Sequence, residues 1–116
     1  VDTSDDCLFC RFTTGDLAPD VVAESELSLA FRDINPQAPT HVLVIPRRHV
    51  PNAVALARAD AGEIADLFDL AGKVADAEGL GGHYRTVFNT GSGAQQTVFH
   101  AHLHVLGGRE FTWPPG

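Results

Sequence analysis

Between Val98 and Leu106 the chain alternates: His100, His102 and His104 take every second position, and Phe99, Ala101, Leu103 and Val105 fill the places between them. A period of two marks a strand with one buried face, because successive side chains point to opposite sides of the backbone. The segment therefore reads as a strand over 98–106, with its apolar set turned to a core. Its imidazoles then stand in a row on the other face, about 6.6 Å apart. Ser, Thr, Lys or Glu would solvate such a face equally well. That three of the six histidines fall here asks for a chemical reason.

Four more strands are expected. Val21–Glu24 and Leu27–Arg32 alternate around a short turn at Ser25-Glu26 and read as an edge hairpin. After the breaker-rich loop 33–40, His41-Val42-Leu43-Val44-Ile45 is a nearly unbroken apolar run ended by Pro46, as suits a central strand. Tyr84–Asn89 is the fifth strand, joined to the histidine strand by a glycine-bearing loop over 90–96. From Asp60 to Glu78 the period changes to that of a helix. Ile64, Leu67, Phe68, Ala71, Val74 and Ala75 form its apolar face, with Glu63, Asp66, Asp69, Lys73 and Asp76 mostly off it. Asp60 stands as N-cap with Glu63 three residues on, and Gly79 sits where a helix-ending glycine belongs. Short helices are expected over Pro51–Leu56 and after Cys7. Most connections are too short for parallel crossovers, so the expected fold is α+β: a mainly antiparallel sheet of about five strands, one long helix and a short one, as a single domain over 1–116.

Composition narrows the function. The net charge is −7 with one lysine, which argues against binding duplex nucleic acid; 44% apolar and 20% charged residues describe an ordinary globular chain. No apolar run is long enough to span a membrane. The start, Val1-Asp2-Thr3-Ser4-Asp5-Asp6, is acidic where an export signal would be basic and then apolar, so a cytoplasmic location is expected. The chain has no Met, which implies that its start has been processed or trimmed. A single phosphate remains a possible ligand, because backbone N–H groups and imidazoles can hold it without net positive charge. Histidine, with an ordinary pKa near 6.5, can serve as nucleophile, anion ligand or proton carrier around neutrality. Three in a row supply all of these roles. The nearby turn Gly91-Ser92-Gly93 could offer N–H groups to an anion or be a plain connection.

Cys7 and Cys10 are the only cysteines, in a C-x-x-C arrangement. Alone, such a pair can be redox-active, metal-binding or accidental. No strand can precede it as in a thioredoxin-like unit, and zinc wants four ligands, of which two cysteines are half. His41, His49, His83 and the triad could complete a set.

The run His100 to Leu106 fits the signature of the histidine triad (HIT) family, three histidines alternating with apolar residues. Further stretches resemble its HINT branch of nucleotide-binding proteins: Phe31-Arg32-Asp33-Ile34-Asn35-Pro36-Gln37-Ala38-Pro39-Thr40-His41, Val44-Ile45-Pro46, Asn89-Thr90-Gly91-Ser92, and the ending Gly107-Gly108-Arg109 through Trp113-Pro114-Pro115-Gly116. The resemblance implies that His102 is the nucleophile and His104 a ligand of the α-phosphate. It implies that Asp33 binds the ribose hydroxyls, and that Phe9, Phe31 and Ile34 wall the base pocket. Asn89 and Thr97 would hold the phosphate and leaving group; Thr97 stands where the branch often has serine, and Gln95 where glycine is common. Resemblance to zinc-containing bacterial members selects Cys7, Cys10, His49 and His100 as ligands of a closed, structural zinc. It also implies a homodimer with its sheets continued across a symmetric interface, the tail with Trp113 reaching the partner's site.

The activity so implied is hydrolysis of a nucleoside 5′-monophosphate derivative, an adenosine phosphoramidate above all, through a nucleotidyl-histidine. Its rivals are dinucleoside polyphosphate hydrolysis and a nucleotide-binding regulatory module with vestigial turnover. A zinc-stabilised interaction domain would bind no nucleotide. Histidine at 104, where the transferase branch has glutamine, and the Trp-Pro-Pro ending favour the phosphoramidase reading.

Overall fold

In a computed structural model, which describes residues 3, 4 and 6–116, the chain forms a five-stranded antiparallel sheet and three α-helices. Val1, Asp2 and Asp5 of the acidic start lie outside the described residues. Helix α1 (Leu8–Thr13) leads into β1 (Val21–Glu24), β2 (Ser28–Arg32) and β3 (Thr40–Pro46); α2 (Ala53–Ala59) and α3 (Ala61–Ala77) follow, then β4 (Tyr84–Phe88) and β5 (Leu103–Gly107). The spatial order is β1-β2-β3-β5-β4, so β2, β3 and β5 are interior and β1 and β4 form the edges. Among the described residues no helix is long and apolar enough to cross a membrane.

The two faces of the sheet have different covers. Ala30, Val42, Val44, Leu103 and Val105 face α3, where Leu67, Leu70, Ala71 and Val74 meet them together with Leu56 of α2. The alternate residues Leu29, Phe31, Leu43 and Ile45 face the other way and are covered in part by Phe9 of α1. That second face is covered by only six residues of helix, and it carries the histidines.

Helix α3 starts and stops where the sequence marks it. Asp60 caps its first turn by accepting from the Gly62 N–H at 2.8 Å. At its end the Leu80 N–H reaches the Ala75 carbonyl and the Gly79 N–H that of Asp76, with Gly79 at φ +72°, a left-handed geometry that glycine adopts freely. Two expectations for this helix fail. Glu63 does not lie off the apolar face. It shares the stripe of Leu67 one turn on and is 6% exposed, its carboxylate held by Arg48 at 2.6–3.1 Å, so it cannot reach back to the cap. Phe68, assigned to the core face, is 45% exposed; it lies beside the edge strand, against Phe88, where the sheet runs out. The short helix expected over Pro51–Leu56 begins later, because the Asn52 side chain caps it by accepting from the Ala55 N–H.

The largest departure concerns the histidine strand. The ladder between β3 and β5 ends at Val44 and Leu103, so β5 spans Leu103–Gly107, and His100 and His102 precede it. Continued pairing would bring Ala101 opposite Pro46, which has no N–H to offer. The Ala101 N–H goes instead to the Val50 carbonyl at 2.8 Å. Phe99, expected in the core, falls in this irregular segment and is 53% exposed.

Candidate functional site

His104 lies in β5 opposite Leu43 of β3, and His41 is its diagonal neighbour on the same face. His41 Nε2 and His104 Nδ1 are 2.9 Å apart. The protons here can be assigned. The Gln37 N–H donates to His41 Nδ1 at 3.0 Å, so that nitrogen carries a lone pair and, in the neutral ring, the proton sits on Nε2. Nε2–H then donates to His104 Nδ1, which leaves the proton of His104 on its own Nε2. Burial, before all else, lowers the pKa of His41, and it pushes that of His104 down to about 4; Asp33, with Oδ2 3.4 Å from His41 Nε2, opposes the shift in both. Both rings are thus neutral at pH 7, and His104 presents an N–H donor.

The tautomer of His102 is fixed from a different direction. Its Nδ1 donates to the carbonyl of His100 at 2.8 Å, a bond possible because the chain has left the ladder at this point. The Nε2 lone pair is then available. Phe9 packs edge-on against this ring, with centroids 5.2 Å apart, and the His104 ring is 5.1 Å away.

His102 and His104 line a cavity of about 530 Å³ together with Phe9, Phe31, Asp33, Ile34 and Thr97. Ile34 forms its outer lip, fully exposed beyond β2. Asp33 is set by an Asx turn, accepting from the Asn35 N–H at 2.8 Å. Asn89 and Trp113 are not among the lining residues. Asn89 is half-buried just past β4, where the register continues to a place across from His102. Trp113 is 81% exposed on the tail, which runs past β4 where Phe111 stacks between Arg85 and Arg109. The wall of the cavity is apolar on the aromatic side and polar at the imidazoles, which suits a ligand with a flat apolar ring and an anionic end.

The structure also gathers Cys7, Cys10, His49 and His100, whose ligand atoms all lie within 4.8 Å of one another, close enough to hold a metal ion. His100 Nδ1 is 3.3 Å from Cys7 Sγ, 3.4 Å from Cys10 Sγ and 3.3 Å from His49 Nδ1. Its other nitrogen donates to the Pro46 carbonyl at 2.8 Å, which leaves the Nδ1 lone pair aimed into the cluster. Burial, with His49 and His102 nearby, pushes the pKa of His100 down to about 4. Asp33, His41 and His104 also lie mutually within 4.8 Å, but their hydrogen bonds already use the imidazole lone pairs that a metal would need.

Two residues of the site are given no role in catalysis or binding by the sequence, although His41 closes the stretch 31–41 that resembles the family. His41 sits in an apolar run and is buried beneath His104. Gln96, also buried, ties the glycine-bearing loop together: its Oε1 accepts from the Gly91 N–H, and its Nε2 donates to the carbonyls of Pro51 and Val98. The N–H groups of Gly91, Ala94, Gln95 and Gln96 are used inside this loop, which includes a 3-10 turn over Ser92–Ala94. An anion there would meet only Ser92 and Gly93. A buried polar residue in a run that reads as core or loop was the available signal, and it points to no role by itself.

Residues 15–111 match the HIT domain family. An uncharacterised HIT-like protein of Synechocystis sp. is 43% identical over 113 residues, covering 97% of this chain and 99% of the relative. The crystal structure of a HIT family hydrolase from Legionella pneumophila superposes with a TM-score of 0.90 at 49% identity, over 96% of this chain and 100% of that one. A histidine triad protein from Clostridium difficile does so at 0.88 and 31%, over 95% and 96% of the two chains. The family match spans the sheet and the imidazole row, the relatives cover nearly the whole chain, and this chain belongs to the histidine triad family.

Proposed function

We propose that the protein hydrolyses nucleoside 5′-monophosphate derivatives, with an adenosine phosphoramidate as the leading substrate, through a nucleotidyl intermediate on His102. Similarity to a solved HIT family hydrolase supports hydrolysis at the level of the family. The observation that carries the finer reading is the 2.8 Å bond from His102 Nδ1 to the His100 carbonyl. It makes Nε2 a nucleophile in a cavity whose other imidazole, His104, offers a donor to a phosphoryl oxygen. The positive charge that develops on the His102 ring during attack is met by the same carbonyl.

Attack of Nε2 on phosphorus breaks the P–N bond of the substrate. The departing nitrogen must gain a proton, since an amide anion is a very poor leaving group; because the cavity imidazoles are neutral, solvent supplies that proton and takes one back from the attacking water in the second step. Water then attacks phosphorus, breaks the P–Nε2 bond and restores the neutral rings, releasing the nucleoside monophosphate. In this reading Asp33 binds the ribose hydroxyls, Phe9, Phe31 and Ile34 hold the base, and Asn89 and Thr97 assist at the phosphate and leaving group.

Cys7, Cys10, His49 and His100 would hold a structural zinc. A tetrahedral ion bound at the usual zinc distances sets its nitrogens about 3.3 Å apart and each nitrogen about 3.6 Å from a sulfur. The His49–His100 separation is 3.3 Å, and the Cys7–His100, Cys10–His49 and Cys10–His100 separations are 3.3–3.4 Å, so the donor set fits. Such an ion would order the fold without contacting substrate. The open edge of β4 and the exposed Trp113 support a homodimer whose sheets join and whose tail reaches the partner's cavity. Two cysteines that stand as free thiols are in keeping with a reducing, cytoplasmic setting.

Rapid-quench mass spectrometry with adenosine phosphoramidate tests the mechanism: an adenylylated peptide containing His102 is expected. His102→Asn should lower kcat by several powers of ten while AMP affinity is largely kept. Modification of another residue, or near-normal turnover in His102→Asn, overturns it. Faster turnover of a dinucleoside polyphosphate would move the assignment to that substrate class.

A further inference from the structure

The segment 98–102, which carries His102, is outside the sheet, so no strand ladder holds it, although His100, Ala101 and His102 are buried. The Ala101 N–H reaches the Val50 carbonyl, the Val98 carbonyl accepts from Gln96, and His100 Nε2 donates to the Pro46 carbonyl. Phe9 packs against the rings of His100 and His102, and the Cys7, Cys10, His49 and His100 cluster is a further anchor; His100 belongs to both halves of the site, because its ring faces the sulfurs while its carbonyl fixes the tautomer of His102. The two sulfurs are unequally accessible. Cys10 is buried, whereas Cys7 is half-buried at a separate cleft of about 420 Å³ that Ser4, His49, Thr97 and Phe99 also line.

We propose that Cys7 and Cys10 are an oxidation site for a hydroperoxide, and that their disulfide opens the cluster and thereby loosens the nucleophile. The Cys7 thiolate attacks the outer oxygen of the peroxide and breaks its O–O bond, leaving a sulfenic acid and, once solvent has protonated the alkoxide, an alcohol or water. The Cys10 thiolate attacks that sulfur, forms the S–S bond and expels hydroxide, which solvent protonates. Two electrons leave the sulfur pair and reduce the peroxide. The sulfurs already lie within 4.8 Å of each other on the first turn of α1, so the bond closes with a small local movement.

A disulfide leaves only His49 and His100 as ligands, which is half of the set that zinc needs. The metal departs, His100 loses an anchor, and the hold of its carbonyl on His102 weakens with it. A reductant and zinc reverse the change. The inference rests on the zinc reading above and is independent of which nucleotide derivative is cleaved.

Purified zinc-loaded protein is treated with hydrogen peroxide. Zinc is followed with a chromogenic chelator, the disulfide by peptide mapping, the His102 ring protons by nitrogen-15 NMR, and turnover with adenosine phosphoramidate. Zinc release in step with a Cys7–Cys10 disulfide is expected, together with loss of the hydrogen-bonded Nδ1–H signal of His102. A fall in kcat of roughly 10- to 100-fold, the scale on which outer-sphere partners of a site act, should accompany it and be restored by dithiothreitol and zinc. Cys7→Asp, which keeps a metal ligand and cannot form the disulfide, should hold whatever turnover it has through the same treatment. Fresh protein that contains no zinc refutes the metal reading and this inference together. Zinc-loaded protein that yields only sulfinic acid, or that forms the disulfide with kcat and the His102 signal unchanged, refutes the inference alone.

Discussion

Replacing His41 with alanine tests whether the proton arrangement of the site is set from beneath. His41 is 5% exposed and makes two hydrogen bonds through its ring, accepting from the Gln37 N–H at 3.0 Å and donating to His104 Nδ1 at 2.9 Å. Gln37 is on an exposed loop, so its N–H finds water when the ring is gone. His104 Nδ1 lies deeper and is left without its donor, at a cost of about 1–3 kcal/mol. The ring can recover part of this by moving its proton to Nδ1, but then it no longer offers a donor at Nε2. If that donor is needed in the transition state, the same energy appears in kcat/KM, as a fall of roughly 5- to 150-fold. The assay is steady-state hydrolysis of adenosine phosphoramidate beside a thermal melt, with nitrogen-15 spectra of the His104 ring. The wild type should show its proton on Nε2 and the variant a mixture. A variant with lowered melting temperature but kcat/KM within about twofold of wild type would show His41 to be packing only. A wild-type spectrum with the His104 proton on Nδ1 would refute the assignment outright.

The remaining predictions concern acid and the tail. His104 has a folded-state pKa of about 4 against an ordinary 6.5, so the folded protein takes up this proton later than the unfolded chain does. Its contribution is therefore fully present above pH 6.5 and is lost as pH falls toward 4, amounting to about 3 kcal/mol. Urea melts between pH 7 and 4.5 should show this loss, and His104→Gln should flatten the slope; an equal slope in the variant defeats the attribution. Deleting Phe111 to Gly116 should change the preference among phosphoramidates without abolishing turnover, and scattering should report a dimer at micromolar concentration. Unchanged preference or a monomer would count against the role given to Trp113.

Much of this fold was legible because each element carries its own signal. Period two gave the β1–β2 hairpin and β5, an apolar run ended by proline gave β3, period 3.6 gave α3, and Asp60 and Gly79 marked its ends. The site was legible as far as its residues repeat: His100, His102 and His104 announce themselves, and so do Cys7 and Cys10. What did not show were polar residues whose meaning depends on the far side of the fold. Glu63 reads as a solvent-facing acid until Arg48, from the chain after β3, is placed against it. His41 reads as the start of an apolar strand until antiparallel pairing brings β5 alongside and sets His104 on its diagonal. Such pairs are long-range by nature, and single-sequence periodicity carries no information about them.

The histidine run shows how a correct pattern can conceal a change of structure. Alternation alone predicts a continuous strand with three equivalent imidazoles. In a continuous ladder, however, the His100 carbonyl would be directed along the sheet toward a neighbouring strand, and the His102 ring would stand nearly perpendicular to the sheet, beyond its reach. The bond between them requires the chain to leave the ladder after Leu103, reading backward from β5. Pro46 provides for that departure, since its missing N–H ends the pairing and its free carbonyl receives His100 Nε2. One imino acid on β3 thereby makes the three histidines unequal. His100 turns toward the cysteines, His102 keeps a free lone pair at Nε2, and His104 stays in register to present its N–H from the sheet.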